Sequence, residues 1–579
     1  MAANSALTYF TLGNAFSWVA RPCPYKSKHL PKGYRMMNAK EAIAEILQRE
    51  GVEYLFCFPT TPIIDACSEA GIRPLVARQE RVAGNMADGY SRMTNGKRIG
   101  VCSVQRGAGA ENCFSAVTQA YTDSSPVLFV AGQVQRQVAD LNPNFNAART
   151  YRNATKWSER IPSGPMTETY LRKAFTLLRS GRPRPVFLEL CVDVAEENVP
   201  ELNYLPPPRL RSCADPQSVK EAVTTLLEAK HPVIWAGQGV LYAEASAELT
   251  TLAELLGIPV TTSLLGKSAF NEQHPLSLGT ASFSKTAMVA SALEEADVLL
   301  TVGASLSRDF TASYIPAGKR HLHCTVDPGD MNTYFSIDVG LVGDAKLVLQ
   351  QILEELRDRL VDRTDMRIAN QAKLGEQRER WNTRWAAKRT SNETPINIYR
   401  LVADFEKTFD PATSVVTHEP GATRDVLVPQ YKAVNPRGYL GWGHSTQLGF
   451  SLGSAMGAKL ACPEKLVANF MGDCGIGMVG TDLETAARLC IPILTVISNN
   501  GTMGNYGRLI PRSKAIFGVT ELGGNYTDMA LALGLHAERV ERPAEIIPAL
   551  RRGAQATAEG TPALVEVITG VEPDISYQG

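Results

Sequence analysis

The sequence has no excess of charge and no long apolar segment, and these two absences narrow the classes of protein to consider. Its 579 residues include 59 lysines and arginines and 59 aspartates and glutamates, so the formal net charge is zero. Without a basic excess, neither a nucleic acid nor an anionic membrane is an expected partner. No uninterrupted run of about 18 apolar residues occurs, which argues against a membrane-spanning helix. We therefore expect an ordinary globular protein that binds neither a nucleic acid nor a membrane.

Two common motifs are also missing. The eleven cysteines are scattered without a Cys-x-x-Cys pair, which argues against a zinc site and favours reduced, mostly buried thiols. A reducing compartment, and hence a cytoplasmic location, is the corresponding expectation. No Gly-x-Gly-x-x-Gly turn is followed about 20 residues later by an acidic residue, which argues against a nicotinamide-dependent dehydrogenase.

Acidic residues are absent from the N-terminus. The first 40 residues contain no Asp or Glu, but they contain six lysines and arginines. This bias is typical of an organellar transit peptide. The simpler interpretation, which we favour, is an overlong start, because Met36 and Met37 directly precede the first predicted helix. In either case, residues 1–37 are predicted to be an extension that adds no chemistry.

Strand-like and helix-like segments alternate through the rest of the chain, which predicts an α/β fold with parallel sheets. A proline-rich linker at residues 204–209 separates the first two blocks. A charged, glycine-poor stretch at residues 357–393 predicts a solvated helical connector before the third block. We predict three doubly wound parallel-sheet domains, at residues 38–203, 213–356 and 394–575.

The most informative motif lies in a predicted strand–helix–strand unit of the third block. An apolar run leads into Gly472-Asp473, a helix is predicted at residues 481–490, and a second apolar run leads into Asn499-Asn500. Because ligands bind where the carboxyl ends of parallel strands meet, Asp473 and Asn500 should converge. A carboxylate and an amide oxygen suit Mg²⁺, which takes further ligands from phosphate. The alternative is that both are ordinary turn residues.

Two polar segments follow strands of the first block. Arg78-Gln79-Glu80 comes after a short strand-like run and begins a helix. Residues 105–112 form a glycine-rich turn between a strand and a helix, and such turns expose backbone N–H groups. Each segment also has a simpler interpretation: Glu80 as a solvated or capping residue, and the glycines as residues that tighten a connection.

Taken together, these motifs resemble the thiamine-diphosphate enzyme superfamily, specifically the acetolactate synthase and pyruvate oxidase group. The resemblance extends over roughly residues 38–575 and implies, in order, a pyrimidine-binding, a middle and a diphosphate-binding domain. The matching segments are Arg78-Gln79-Glu80, residues 87–92, residues 105–112, Ala131-Gly132-Gln133, residues 262–267, Gly303-Ala304-Ser305, Gly472-Asp473 and Asn499-Asn500.

The resemblance assigns roles to individual residues. Asp473, Asn500 and the carbonyl of Thr502 would bind Mg²⁺, which grips the diphosphate of the cofactor. Glu80 would hydrogen-bond the ring nitrogen of its pyrimidine. The remaining assignments are Gly472, Cys474 and Gly475 lining the diphosphate loop, Leu448 bending the cofactor, and Gln133 and His418 joining Glu80 in the catalytic set.

Several positions depart from the family pattern. Cys474 and Thr60-Thr61 stand where glycines are usual, and Leu448 replaces the methionine of acetolactate synthases. The two threonines could bind a polar donor substrate or simply fill the loop. The segment after Asn500 lacks the Trp-Glu pair that acetolactate synthases use near their acceptor. These departures leave the donor and acceptor substrates open.

The expected function is that of a carboligase, which decarboxylates a 2-oxo acid and adds the product to a second carbonyl. The alternative is a 2-oxo acid decarboxylase or C–C lyase, with His418 as a candidate proton donor or as a structural histidine. A non-catalytic relative is disfavoured, because Glu80, Asp473 and Asn500 are all present.

The resemblance also bears on a second cofactor and on assembly. Acetolactate synthases hold FAD on the middle domain, and related proteins bind ADP or nothing there. The residues in similar places here are Gly237, Gly239, Arg308 and Asp327. A homodimer at minimum is implied, with a homotetramer expected, since Glu80 of one subunit would meet Asp473 of its partner.

Overall fold

Three parallel six-stranded sheets form the frame of the protein. The structure is a computed structural model that describes residues 36–308, 312–359, 362–504 and 506–576. Strands of all three sheets pair in parallel, and helices connect them. The predicted α/β fold with three doubly wound parallel sheets is confirmed. The domain boundaries stay a prediction, although each sheet lies within one of the three predicted ranges.

The first sheet carries the elements around Glu80. Its strands are β1 (Tyr54–Cys57), β2 (Arg73–Val76), β3 (Gly100–Val104), β4 (Val127–Gln133), β5 (Trp157–Arg160) and β6 (Val186–Cys191). Its helices are α1 (Ala39–Arg49), α2 (Ile64–Glu69), α3 (Glu80–Met93), α4 (Ala108–Thr122), α5 (Ala147–Thr150), α6 (Thr167–Arg179) and α7 (Val192–Ala195). The strand order is β2-β1-β3-β4-β6-β5. A capping box explains where α1 starts, because the side chains of Asn38 and Glu41 each accept the other's backbone N–H.

The middle sheet has the strand order β12-β11-β10-β7-β8-β9. The strands are β7 (Pro232–Ala236), β8 (Val260–Ser263), β9 (Ser277–Ala281), β10 (Val298–Val302), β11 (Arg320–Thr325) and β12 (Val339–Val342). The helices are α8 (Pro216–Glu228), α9 (Gln238–Tyr242), α10 (Ser246–Leu256), α11 (Ala287–Glu295) and α12 (Ala345–Asp358). The charged connector is the helix α13 (Thr364–Arg389), which buries Leu374, Trp381 and Trp385 and exposes most of its charged residues.

The third sheet carries the elements around Asp473. Its strands are β13 (Ser414–His418), β14 (Tyr439–Leu440), β15 (Leu466–Gly472), β16 (Leu494–Asn499), β17 (His536–Val540) and β18 (Ala563–Ile568), in the order β14-β13-β15-β16-β18-β17. The helices are α14 (Ile398–Thr408), α15 (Ala422–Gln430), α16 (Phe450–Ala461), α17 (Asp473–Val479), α18 (Leu483–Arg488), α19 (Tyr506–Leu509), α20 (Pro511–Phe517), α21 (Tyr526–Ala532) and α22 (Ile546–Ala558). Within the described parts of the chain, no helix is long and apolar enough to cross a membrane.

Helix α3 of the first domain and helix α16 of the third pack backbone against backbone. A Cβ atom on Gly89 would overlap the backbone of Ser454, and one on Gly457 would overlap the carbonyl oxygen of Met86. Glycine has no side chain to keep the two backbones apart. This contact fixes the first and third sheets relative to each other.

A buried ionic cluster lies beside this helix pair. Arg92 on α3 forms ion pairs with Asp88 and Asp123 and donates a hydrogen bond to the carbonyl oxygen of Gly441 at 2.8 Å. Asp123 also accepts the backbone N–H of His444 at 2.9 Å. The arginine and both aspartates are sealed from solvent. The cluster therefore joins α3, the end of α4 and the segment before α16 into one unit.

Candidate functional site

The carboxyl edge of the third sheet brings the predicted metal ligands together. Asp473 follows β15 directly, and Asn500 follows β16, the neighbouring strand. Backbone N–H groups of Asn500, Gly501 and Thr502 surround the Asp473 carboxylate. The amide oxygen of Asn500 accepts the N–H of Thr502 at 3.2 Å. All three predicted ligands thus lie at one point of the sheet edge, while their role in metal binding stays a prediction.

The Oδ2 atom of Asp473 is the feature that points to a bound cation. It is sealed from solvent and has no hydrogen-bond partner among the described residues. Burial raises the pKa of Asp473, and the surrounding N–H groups oppose this rise. Because an unpartnered buried carboxylate oxygen is unfavourable, Mg²⁺ would fit here, with oxygens of Asn500 and Thr502 as further hard ligands. In the described ranges, no cluster of three or more His, Cys, Asp or Glu side chains could hold a metal.

The helix that follows Asp473 begins earlier than predicted. Instead of one helix at residues 481–490, α17 starts at Asp473 and α18 follows it. The reason is local: Gly472 is the N-cap in an extended conformation, so the chain turns from β15 into the helix without a loop. Gly472, Cys474 and Gly475 lie at this turn, and their assignment to the diphosphate loop stays a prediction. Burial raises the pKa of the Cys474 thiol, which keeps it neutral.

Glu419 lies against this turn, although its sequence pattern alone did not mark it as a site residue. It follows β13, is fully buried, and its two oxygens accept the N–H groups of Gly449 at 2.8 Å and Ser451 at 2.7 Å. A Cβ atom on Gly475 would lie 2.8 Å from its Oε2. Burial raises the pKa of Glu419 to about 7. The signal that could have found it is an acidic residue placed directly after a buried strand of a parallel sheet.

Leu448 sits at the start of α16, next to this carboxylate. The following residue, Gly449, has a φ of +88° and is the N-cap of the helix. A Cβ atom on Gly449 would lie 2.5 Å from a methyl group of Val479 on α17. The position of Leu448 is therefore fixed between Glu419 and α17. Its assignment as the residue that bends the cofactor stays a prediction.

Glu80 lies at the carboxyl edge of the first sheet. It is the first residue of α3, is 4% exposed, and accepts a hydrogen bond from Asn112 Nδ2 at 3.2 Å. Its other oxygen would lie 3.5 Å from a Cβ atom on Gly109, in the predicted glycine-rich turn. Glu80 is thus neither solvated nor a side-chain cap of α3, and the predicted segments around it do converge.

Gln133 closes β4 on the same sheet, but its polar atoms are occupied by the protein itself. Its Nε2 donates to the carbonyl oxygen of Phe145 and to Oε1 of Glu189, both at 2.9 Å, and its Oε1 accepts the N–H of Val134 at 2.8 Å. Such a side chain holds neighbouring segments in position. Its assignment to the catalytic set stays a prediction.

His418 is placed where the structural interpretation fits better than the proton-donor interpretation. Its imidazole is fully buried, hydrogen-bonds the Tyr439 hydroxyl through Nδ1 at 2.7 Å, and packs edge-on against Trp442. Burial lowers the pKa of His418 well below its ordinary value, helped by Arg424 and Lys267. At neutral pH the ring is therefore uncharged and has little acidity to offer.

A cavity of about 660 Å³ lies at the carboxyl edge of the middle sheet, and residues of the first and third domains complete its lining. Of the four residues expected near a flavin, Gly239 and Arg308 line this cavity. Gly237 instead allows close packing, because a Cβ atom there would overlap Gly303. Asp327 lies outside the lining and caps a turn by accepting the N–H of Gly329.

Three protein-family models match the chain. Residues 37–156 match the thiamine pyrophosphate enzyme, N-terminal TPP binding domain; residues 219–352 match the central domain; and residues 421–567 match the C-terminal TPP binding domain. The order of the three matches is the order of the three sheets, and the two TPP-binding matches contain Glu80 and Asp473.

Similar proteins are acetolactate synthase large subunits. The probable large subunit of Methanococcus aeolicus is 30% identical over 545 residues, which cover 89% of this chain and 90% of that protein. The probable large subunit of Methanocaldococcus jannaschii is 30% identical, with 92% of each chain covered. The isozyme 3 large subunit of Escherichia coli is 29% identical, with 81% of this chain and 83% of its own covered.

Proposed function

Because the chain belongs to the thiamine pyrophosphate-dependent enzymes of the acetolactate synthase type, we propose that it is a Mg²⁺-dependent carboligase acting on a 2-oxo acid. The reaction would release carbon dioxide and join the remaining carbon unit to a second carbonyl. The observation that carries this proposal is the buried, unpartnered Oδ2 of Asp473 beside Asn500 and Thr502. The bound cofactor supplies the electron sink that decarboxylation needs.

The chain's own residues have separate tasks in this proposal. Asp473, Asn500 and the carbonyl of Thr502 hold the metal, and through it the diphosphate. Glu80, kept in place by Asn112, holds a proton at the ring nitrogen of the pyrimidine. Burial of Glu80 excludes water from this proton position.

The remaining cofactor contacts are structural. Gly472, Cys474 and Gly475 line the diphosphate loop, and the absence of large side chains lets the loop approach the phosphates. Leu448, placed beside the start of α16, would contact the cofactor between its two rings.

The second candidate function is a 2-oxo acid decarboxylase or C–C lyase. The segment after Asn500 favours it, because this segment lacks the Trp-Glu pair that acetolactate synthases place near their acceptor. The burial of His418 argues against it, since a simple decarboxylase must deliver a proton and His418 is closed off from any substrate.

We further propose that the middle-domain cavity holds a nucleotide, FAD or ADP. Its size and its three lining arginines, Arg182, Arg209 and Arg308, fit an anionic dinucleotide or diphosphate. The absorption spectrum of the purified protein separates the two, since only a flavin absorbs visible light. We also propose a cytoplasmic homodimer at minimum, with a homotetramer expected, because the family resemblance implies that Glu80 of one subunit meets Asp473 of its partner.

The test is titration of cofactor-free protein with thiamine diphosphate and Mg²⁺, followed by carbon dioxide release from a set of 2-oxo acids. A second carbonyl compound is added in parallel, and formation of a joined product separates the carboligase from the decarboxylase. Asp473→Asn should lose Mg²⁺-dependent binding, whereas Asp358→Asn, an exposed residue at the end of α12, should retain it. Unaltered cofactor affinity in Asp473→Asn would refute the metal site.

A further inference from the structure

Thr60 has a strained backbone beside the candidate site. It lies in the segment between β1 and α2, and its φ is +72°, a region that β-branched residues rarely adopt. Glycine would adopt this conformation without strain. Strain of this kind persists where the surrounding structure holds it, most often at functional sites. The threonine side chain must therefore contribute something that a glycine would not.

The hydroxyl of Thr60 orients a glutamine. Its Oγ1 donates a hydrogen bond to Oε1 of Gln105 at 2.8 Å. With the oxygen engaged in this way, the Nε2 amide group of Gln105 has no partner among the described residues. Two N–H donors therefore stay available for a ligand.

The same contacts place Gln105 next to Glu80. A Cβ atom on Gly109 would lie 2.6 Å from Cγ of Gln105 and 3.5 Å from Oε1 of Glu80, so the two side chains flank this glycine. On the other side, Pro62 and the backbone nitrogen of Arg106 lie 3.3 and 3.6 Å from a Cβ atom on Gly132. The segment around Thr60 thus lies at the sheet edge where the reaction is proposed to occur.

The unpaired polar groups define the chemistry that this edge can bind. Arg106 is exposed, and no carboxylate of the described residues pairs with it. Oγ1 of Thr61 is sealed from solvent and has no hydrogen-bond partner in the same ranges. An apolar substituent on a substrate would leave the buried Thr61 hydroxyl without a partner and would displace water from the Gln105 amide without replacing its hydrogen bonds, which is unfavourable. A substituent with oxygen acceptors would satisfy them.

We infer that Thr60, Gln105 and Arg106 determine donor specificity, and that they bind an oxygen-bearing substituent of a 2-oxo acid, either a hydroxyl or a second anionic group. This inference rests on the proposed function, since it concerns the donor of that reaction. Gln105 and Arg106 donate to the substituent, and Thr60 acts as a positioning residue that orients Gln105.

The experiment compares four donors on the enzyme loaded with thiamine diphosphate and Mg²⁺. Hydroxypyruvate and 2-oxoglutarate carry oxygen-bearing substituents, whereas pyruvate and 2-oxobutanoate do not. We expect kcat/KM to be at least about 10-fold higher for one of the polar donors than for both apolar donors. Arg106→Gln distinguishes the two substituents. If the group is anionic, the substitution should lower kcat/KM for 2-oxoglutarate alone; if it is a hydroxyl, it should not lower kcat/KM for either polar donor selectively.

Two substitutions at Thr60 separate specificity from structure. Thr60→Ala removes the hydroxyl and should reduce the preference at least about 5-fold, through KM rather than kcat. Thr60→Gly should reduce the preference for polar donors by the same factor. Its urea midpoint of unfolding should stay equal or rise, because the backbone strain is relieved. A purely structural threonine would lower activity and midpoint together. Thr251→Ala, on the exposed face of α10, is the control and should change neither.

Failure of the proposed function and failure of this donor-specificity inference give different results. Carbon dioxide release from none of the four acids, with no cofactor binding, would reject the proposed function and this inference together. Release at equal kcat/KM from polar and apolar donors, or an unchanged preference in Thr60→Ala, would overturn the inference alone and leave the proposed function standing.

Discussion

Oε2 of Glu419 lies 2.8 Å from the point that a Cβ atom on Gly475 would occupy. The carboxylate cannot retreat, because it accepts the N–H groups of Gly449 and Ser451 at the start of α16. The turn at the end of β15 therefore packs against the same side chain that fixes the segment after Leu448. Two of the predictions below follow from this arrangement.

Gly475→Ala should weaken thiamine diphosphate binding by at least about 10-fold, because the added methyl group and the Glu419 carboxylate cannot share the same space. Titration of the cofactor-free protein, followed by intrinsic fluorescence, measures the affinity. Gly523→Ala is the matched control, since a Cβ atom there meets nothing within 4 Å. Equal affinities of the two variants would contradict the assignment of this turn.

Glu419 should make stability depend on pH in a defined direction. Its pKa in the folded protein is about 7, above the ordinary value of 4.5, so the folded state binds the proton more tightly. This contribution to the free energy of unfolding is complete below about pH 4.5 and is lost as the pH rises through about 7. Between about pH 5 and 7, the wild type should lose about 1.4 kcal/mol per pH unit relative to Glu419→Gln.

Urea denaturation of both cofactor-free proteins at a series of pH values checks this slope. The comparison with Glu419→Gln cancels the contributions of groups that both proteins share. Parallel curves across the range would show that Glu419 titrates at an ordinary pH.

Glu80→Gln should reduce the rate by a factor on the order of 10²–10⁴, the range for a positioned acid–base group. Cofactor affinity should change much less, because Mg²⁺ and the diphosphate are held at the third sheet. Glu111→Gln, an exposed glutamate on α4, is the control. Steady-state carbon dioxide release gives the rate, and a Glu80→Gln variant with the wild-type rate would remove Glu80 from the mechanism.

Asp123→Ala should lower the free energy of unfolding by about 3–5 kcal/mol, because it leaves Arg92 buried with one counter-charge fewer. It also leaves the N–H of His444 without its acceptor. Chemical denaturation measures the loss, with Asp358→Ala as the exposed control. A loss of less than about 1 kcal/mol would mean that Asp88 alone compensates the arginine.

The residues that sequence reasoning located best are those placed by strand ends. Asp473 and Asn500 follow strands whose apolar pattern is unambiguous. Parallel pairing of these strands brings the two residues together, independently of side-chain packing. The three sheets were predictable for the same reason. The early start of α17 was not, because it depends on the backbone conformation of Gly472.

Side-chain surroundings set the limit of what sequence could predict. Whether His418 reaches a substrate depends on Tyr439 and Trp442, which follow it by more than 20 residues and pack onto it only in the folded chain. The role of Glu419 likewise depends on α16 and α17. Burial and hydrogen bonding by distant segments leave no periodic pattern in the sequence.

The glycine contact between α3 and α16 has a consequence for how this enzyme can diverge. Any inherited change at Gly89 or Gly457 that adds a side chain would shift both cofactor-binding sheets at once. The segment around Thr60 lies outside the contact between α3 and α16. Substitutions there can therefore alter which donor is accepted without moving the two cofactor-binding sheets. New substrate preferences in descendants of this chain should therefore arise in such edge loops, with the helix pair kept unchanged across them.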